Sequence, residues 1–161
     1  MLDLIKKSIN ISQNDLLEDT LYSYNDTIYD YNIVAPDKGA TKKLLNPNMI
    51  FDKVRDVATG KITGMQVIHD ESDPSKEYIV IDDICEGGRT FIELAKLFKE
   101  VKPKNTHINL YVTHGIFSNN AIEKLLEYYS KIYVHFMKES VFENLTETQQ
   151  QNVFVNTFIK A

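Results

Sequence analysis

Apolar and polar positions alternate between strand-like and helix-like spacing over the second half of the chain. Three short apolar runs rich in β-branched and aromatic residues are typical of buried strands: EYIVID (77–82), THINLYVTHG (106–115) and KIYVHF (131–136). Between them, TFIELAKLFKEV (90–101) and NNAIEKLLEYYS (119–130) carry apolar residues at helical intervals. This alternation predicts a parallel sheet with right-handed crossovers and with helices on its faces.

The first half of the chain shows shorter patterns. A buried strand is predicted at YNIVA (31–35), where Pro36 stops it. MIFDKVRD (49–56) and KITGMQVIHD (61–70) are predicted to form a β-hairpin. The remaining predictions are short helical pieces over residues 2–20, a helix over 39–45 that Pro47 ends, and a final strand over 152–159. We therefore expect an α/β fold with a mostly parallel sheet, flanking helices and a β-hairpin.

Composition restricts the class of protein. The chain has 161 residues, of which 43% are hydrophobic and 25% charged, enough for a single compact domain. No apolar run approaches the ~18 residues of a membrane span. A single cysteine, Cys85, cannot form an internal disulfide, which fits a reducing compartment. A net charge of −5 disfavours a general nucleic-acid binder. We expect a cytoplasmic protein with neither nucleic acid nor a membrane as its partner.

Charge is unevenly distributed along the chain. Residues 1–31 carry two lysines against six carboxylates, whereas residues 38–61 carry six cations against two carboxylates. The two arginines of the chain, Arg55 and Arg89, both fall in segments with candidate chemistry. A basic segment is usually a solvated surface, but it gains interest beside an anion site.

Paired acids end the strongest predicted strand. In IVIDDICEGGRTF (79–91), Asp82 and Asp83 follow the apolar run and Glu86 adds a third acid. Ligands of parallel α/β sheets bind beyond the carboxyl ends of the strands. Carboxylates at this position suit sugar hydroxyls or a hydrated Mg²⁺.

A glycine-containing turn follows these acids and leads into a helix. Gly87 and Gly88 form the turn, and the helix opens at Thr90. Backbone N–H groups of such a turn and of a helix amino terminus can hold a phosphate, with the threonine hydroxyl as a further donor. An ordinary strand-to-helix turn with acidic caps is the simpler alternative. The paired acids and the Gly-Gly-x-Thr spacing favour a phosphate and sugar site.

This segment resembles the phosphoribosyl-pyrophosphate (PRPP) motif of type I phosphoribosyltransferase-fold proteins. Three further segments are similar to ribose-phosphate diphosphokinase, the family that makes PRPP: VAPDKGATKK (34–43), DKVRDVATGKITG (52–64) and LYVTHGIFS (110–118). The four motifs occur in the family's order over residues 31–136. The resemblance implies a phosphoribosyltransferase-type sheet in which the hairpin is a flexible loop.

The resemblance also implies roles for the residues of the PRPP motif. Asp82 and Asp83 would hold the ribose 2- and 3-hydroxyls, partly through Mg²⁺. The 5-phosphate would bind to the loop that follows them, which consists of Glu86, Gly87, Gly88, Arg89 and Thr90.

Roles in catalysis and metal binding are implied for the two earlier motifs. Asp37 would lie beside the metal or the ribose, backed by Gly39-Ala40. Lys53 and Arg55 would stabilise the charge on ATP as its diphosphate passes to the ribose 1-hydroxyl. Such a transfer requires positioning, Mg²⁺ and cations rather than a covalent nucleophile. The implied ligands are therefore ribose 5-phosphate or PRPP, ATP and Mg²⁺.

The chain departs from the family pattern in two ways. Arg89 and Lys38 stand where the family usually has small residues. The family enzyme has two similar domains, and this chain corresponds to the carboxyl-terminal one. The resemblance thus implies that residues 1–161 form one ribose-phosphate-binding domain, acting with an amino-terminal half, a partner or further copies of itself.

Three functions remain open at this point. The first is PRPP synthesis, which the Lys53 and Arg55 loop favours. The second is a phosphoribosyltransferase that consumes PRPP, which would share the motif at 79–91. The third is a non-catalytic module that binds PRPP or ribose phosphate, which the Arg89 substitution and the missing half favour.

Overall fold

A computed structural model describes residues 11–44 and 46–160 of the chain. Seven strands form one sheet: β1 Tyr31–Ala35, β2 Met49–Arg55, β3 Ile62–Asp70, β4 Glu77–Cys85, β5 Ile108–Gly115, β6 Ile132–Lys138 and β7 Val153–Ile159. The helices are α1 Gln13–Tyr22, α2 Arg89–Val101, α3 Ala121–Leu126, α4 Glu139–Glu143 and α5 Glu147–Gln150. Two 3-10 turns, Ile28–Asp30 and Ala40–Lys42, complete the described elements.

The sheet is mostly parallel, as predicted. Its strand order is β3-β2-β1-β4-β5-β6-β7, and only the β2–β3 hairpin is antiparallel. Each crossover other than the hairpin therefore returns the chain to the same end of the sheet. The carboxyl ends of six strands share one edge, which confirms the α/β fold with a hairpin.

Apolar side chains cover both faces of the sheet. On one face, α2 buries Phe91, Leu94 and Phe98 against the central strands. On the other face, α1 buries Leu17 and Leu21 over a smaller cluster. A fully buried side chain of this size stabilises the fold by about 1.5–3 kcal/mol. The helices on the two faces therefore fix the position of the sheet and of the edge at which its parallel strands end.

Strand β1 is shorter than both of its neighbours. It ends at Ala35, which pairs with Ile50 of β2, and Pro36 follows without an N–H to extend the ladder. From Phe51 onward the hairpin continues past the end of β1. Strand β4 likewise continues past it, because Val34 pairs with Val80 and β4 runs on to Cys85. The short strand leaves a notch between two longer ones.

The predicted boundary of β4 was wrong by three residues. The strand extends through Cys85 because it stays paired with β5 as far as Gly115. Cys85 is therefore a buried strand residue and not part of the loop. Burial raises the pKa of its thiol to about 12, so the thiol stays protonated near neutral pH.

Two predicted helices are much shorter in the structure. The segment 39–45 forms only a 3-10 turn, Ala40–Lys42. The segment 119–130 is helical only over Ala121–Leu126. Its first two residues, Asn119 and Asn120, have left-handed φ angles of 56° and 57° that a right-handed helix cannot include.

The remaining helices differ from the prediction in smaller ways. Helices α4 and α5 were not predicted, since elements of four or five residues are too short to show a helical period. The predicted helical pieces at 2–10 lie outside the described residues, and α1 accounts for the rest. No helix within the described part of the chain is long and apolar enough to cross a bilayer.

Replacing Gly115 by alanine is expected to destabilise the protein. A Cβ at this position would overlap Phe117 Cε2 and lie 2.9 Å from Val134 Cγ1, both in the core. Overpacking of this kind costs about 1–3 kcal/mol of unfolding free energy, measurable by urea denaturation. In Gly64→Ala, the added Cβ would have no neighbour within 4 Å. Equal unfolding free energies for the two variants would contradict the packing at Gly115.

Candidate functional site

Most of the predicted site residues come together at the notch beside β1, whereas Arg55 lies farther along the hairpin, at the end of β2. The loop 36–43 leaves β1 there, the loop 86–88 leaves β4 there, and β2 passes on the other side. Carboxyl ends of parallel strands are the usual place for ligands in such sheets. The notch therefore combines candidate residues that are distant in sequence.

A small cavity lies at the amino terminus of α2. It has a volume of about 260 Å³ and is lined by Lys53, Asp82 and the loop 86–90. The 13-residue helix directs its free N–H groups and the positive end of its dipole toward this loop. We call this cavity the phosphate pocket, because its donors and its cation suit an anion.

Gly88 gives the loop its shape. Its φ of 74° is left-handed, and a Cβ would lie 3.3 Å from the Leu125 side chain. Arg89 is the first residue of α2 and has no left-handed φ. The arginine is therefore accommodated where the family has a small residue, since the loop needs its glycine one position earlier.

Asp82 and Asp83 lie on opposite sides of the strand end. Asp82 lines the phosphate pocket and accepts a hydrogen bond from the Asp83 N–H at 2.8 Å. Burial, together with the nearby carboxylates of Asp37 and Asp83, raises the pKa of Asp82. The Asp83 carboxylate instead accepts a hydrogen bond from the Lys43 ammonium. The paired acids therefore have different surroundings.

Asp37 is held by two different groups. Its Oδ1 accepts a hydrogen bond from the Ala40 N–H at 3.0 Å, and its Oδ2 lies 3.3 Å from Lys53 Nζ. A Cβ on Gly39 would come within 3.0 Å of Asp37 Oδ1. The glycine thus permits the turn to close around the carboxylate.

A second ion pair joins the same two segments. Lys38 Nζ lies 2.8 Å from Asp52 Oδ2 and lowers the pKa of that carboxyl. Because Asp37 pairs with Lys53 and Lys38 pairs with Asp52, the two pairs link adjacent residues of the loop to adjacent residues of β2. The loop is therefore fastened to the base of the hairpin.

The hairpin contributes a wide groove beside α2. Lys53 and Arg55 line it from the hairpin, and Arg89 and Lys96 line it from the helix. Arg89 Nε lies 3.0 Å from Glu93 Oε1, and the arginine side chain is 91% exposed. Lys53 and Arg89 line both the groove and the phosphate pocket, so the two cavities adjoin.

Sequence reasoning missed Lys43. The residue lies 40 positions before Asp83, and only the path of the loop across the notch brings their side chains together. The Asp83 carboxylate raises the pKa of Lys43, which keeps the ammonium charged. The basic character of residues 38–61 was the one signal for such a contact.

The carboxylates at the notch suit Mg²⁺ in chemistry. Asp37, Asp82 and Asp83 offer hard oxygen donors, and burial, followed by the neighbouring carboxylates, raises the pKa of Asp82. Lysines engage two of the three, and the described residues contain no cluster of three or more acidic, histidine or cysteine side chains arranged around a metal position. The donor types fit Mg²⁺, and the lysines supply the countercharge in this structure.

Comparison with known proteins relates the chain to one family. No protein-family model matches it. The ribose-phosphate pyrophosphokinase of Cereibacter sphaeroides is 30% identical over 114 residues, which cover 66% of this chain and 32% of that protein. The enzyme of the same name from Agrobacterium fabrum is 35% identical over 107 residues, covering 60% and 33%. The chain thus spans about a third of the length of these relatives.

A solved structure supports the same relationship at the level of fold. Phosphoribosylpyrophosphate synthetase from Mycobacterium smegmatis superposes with a TM-score of 0.55 and 21% identity, over 88% of this chain and 44% of that one. The protein therefore has an α/β fold of the phosphoribosyltransferase type. It is related in sequence to the ribose-phosphate pyrophosphokinases, also called diphosphokinases, as its motifs predict.

Gly88→Ala is expected to strain the phosphate loop. A non-glycine residue with left-handed φ costs about 1–2 kcal/mol, and the added Cβ would press on Leu125. We expect a loss of that size in the unfolding free energy, measured by urea denaturation. The neighbouring Gly87→Ala adds a Cβ with nothing within 4 Å and serves as the control. A Gly88→Ala protein as stable as the control would contradict this loop conformation.

Proposed function

We propose that this chain binds ribose 5-phosphate and takes part in the Mg²⁺-dependent transfer of diphosphate from ATP to its 1-hydroxyl. One observation carries the proposal: the helix terminus, Asp82 and Lys53 converge on a single cavity at the edge of the sheet. The names of the related enzymes support the same reaction.

The phosphate pocket provides for the two ends of a ribose phosphate. The backbone N–H groups of the loop 86–90 and the Thr90 hydroxyl would receive the 5-phosphate. Asp82, which also lines the pocket, would accept hydrogen bonds from ribose hydroxyls. Asp83 would contribute a further acceptor once its lysine partner moves. This arrangement would direct the 1-hydroxyl toward the hairpin.

The transfer forms one bond and breaks another. The ribose 1-oxygen bonds to the β-phosphorus of ATP, and its hydroxyl loses the proton. The bond from that phosphorus to the oxygen that bridges to the α-phosphate breaks, and AMP leaves with this oxygen. Lys53 and Arg55 would stabilise the negative charge that builds on the transferred group. The buried, protonated Cys85 thiol offers no nucleophile, and the reaction needs none.

Asp37, Asp82 and Asp83 would hold Mg²⁺. When bound, the ion would neutralise phosphate oxygens and fix ribose hydroxyls. The loop 86–90 would still bind the 5-phosphate, and the cations of the hairpin, Lys53 and Arg55, would still face ATP.

We further propose that residues 1–161 are a ribose-phosphate domain that needs another unit for the adenine side of ATP. The chain spans about a third of its relatives, which supports a division of the two substrates between units. A second copy, a partner chain or a further domain would supply the missing contacts.

Thr90→Val is expected to weaken the binding of ribose 5-phosphate about ten- to hundredfold, since a hydrogen bond to a charged group is worth about 1.5–3 kcal/mol. Isothermal calorimetry with Mg²⁺ measures the dissociation constants. Thr106→Val makes the same change next to the amino end of β5, at the opposite edge of the sheet, and should leave binding unchanged.

The outcomes of this experiment separate the candidate functions. Failure of the unmodified protein to bind ribose 5-phosphate would refute the proposal. Release of AMP from ATP and ribose 5-phosphate, alone or with the missing unit, would establish synthesis. Binding without turnover under any pairing would instead assign a non-catalytic module, and pyrophosphate release from PRPP with a base would assign a transferase.

A further inference from the structure

Lysine ammonium groups contact two of the three carboxylates at the notch, Asp37 and Asp83. We propose that Lys43 and Lys53 are internal counter-ions that a divalent cation must displace, so that an anion in the phosphate pocket promotes cation binding by drawing Lys53 away from Asp37. This inference rests on the proposed function, because it assigns the divalent cation to these carboxylates. It adds a coupling between the two kinds of ligand.

The first contact joins Lys43 to Asp83. The ammonium donates to Asp83 Oδ2, and the two side chains are 54% and 39% exposed. A solvent-exposed pair of this kind contributes little to folding and opens readily. Lys43 therefore competes for an acceptor that a cation would use, without being needed to hold the fold together.

The second contact joins Lys53 to Asp37. Lys53 Nζ lies 3.3 Å from Asp37 Oδ2, and the side chains are 25% and 33% exposed. Lys53 also lines the phosphate pocket. The same side chain thus contacts a carboxylate and lines the proposed place of an anion, so attraction of its ammonium to a bound anion would reduce its attraction to Asp37.

The loop does not depend on these two contacts for its position. The Ala40 N–H holds Asp37 through its other oxygen, and Lys38 separately joins the loop to Asp52. Leu44 anchors the end of the segment in the core beneath α1. The ammonium groups of Lys43 and Lys53 are thus free to exchange partners while the carboxylates stay in place.

This arrangement predicts a reciprocal effect. If an anion frees Asp37 for a cation, then the cation frees Lys53 for the anion by the same factor in affinity. Without ligands, the two lysines would offset two of the three carboxylate charges, and they would give the two ligands positive cooperativity.

Mn²⁺ serves as the probe of the cation site, with free Mn²⁺ measured by electron paramagnetic resonance. Lys43→Gln is expected to bind Mn²⁺ about two- to fivefold more tightly than the unmodified protein, the range that corresponds to an exposed ion pair. Lys42→Gln removes the same charge from the adjacent residue. Within the part of the chain that the structure describes, Lys42 has no carboxylate in ion-pair contact, so it controls for long-range electrostatics. Equal changes in the two variants, or no Mn²⁺ binding by either, would overturn the proposal.

Sulfate serves as the probe of the coupling, with chloride at matched ionic strength as its control and with free Mn²⁺ calibrated in each salt. We expect sulfate to tighten Mn²⁺ binding by the unmodified protein and to have no such effect on Lys53→Gln. A sulfate effect of the same size in both proteins would refute the role of Lys53.

The two proposals fail in different ways. The counter-ion role alone is refuted if the protein binds ribose 5-phosphate but Lys43→Gln gains no more Mn²⁺ affinity than Lys42→Gln. The proposed function alone is refuted if the protein does not bind ribose 5-phosphate but Lys43→Gln still binds Mn²⁺ more tightly than Lys42→Gln.

Discussion

The early end of β1 is the constraint on which the site depends. Pro36 follows Ala35 with no N–H to donate, so the ladder stops while β2 and β4 continue on either side. The chain must then cross the notch as the loop 36–43. Its turn places Asp37 near Asp82 and Lys53, which come from different strands.

A second constraint is the close attachment of α2 to β4. Gly88 adopts a left-handed conformation that begins the helix directly after the loop, and Phe91 and Leu94 bury the first turns in the core. The Tyr129 hydroxyl donates a hydrogen bond to the Phe91 carbonyl at 2.8 Å, which ties the helix to the end of the α3 segment. The amides at the start of α2 are therefore held in a fixed position relative to Asp82, as a phosphate site requires.

Much of this arrangement could be predicted from sequence because strong local signals marked it. The apolar runs of β4, β5 and β6 predicted the parallel sheet, and Pro36 predicted the end of β1. The division of Asp82 and Asp83 between two sides was missed because β4 was expected to end at residue 82. Within a strand that continues to Cys85, neighbouring side chains alternate in direction.

Contacts between distant segments could not be predicted in the same way. Lys43 meets Asp83 because the loop crosses the notch toward β4, and Lys38 meets Asp52 because the register of β2 beside β1 brings the hairpin past the loop. Register depends on the packing of the whole sheet, and a single sequence carries no local signal for it. The resemblance to ribose-phosphate diphosphokinase predicted the residues of the site but not their ion pairs.

The central claim is that a ribose phosphate binds between the amino terminus of α2 and Asp82. An amide-resolved ¹⁵N NMR titration with ribose 5-phosphate tests it most directly, since each backbone N–H near a bound phosphate changes its chemical shift. We expect the largest, saturable changes at residues 86–90, with smaller ones at Asp82 and Lys53. Changes concentrated instead at the cavity between α3 and α5, around Asn120 and Gln149, would contradict the account.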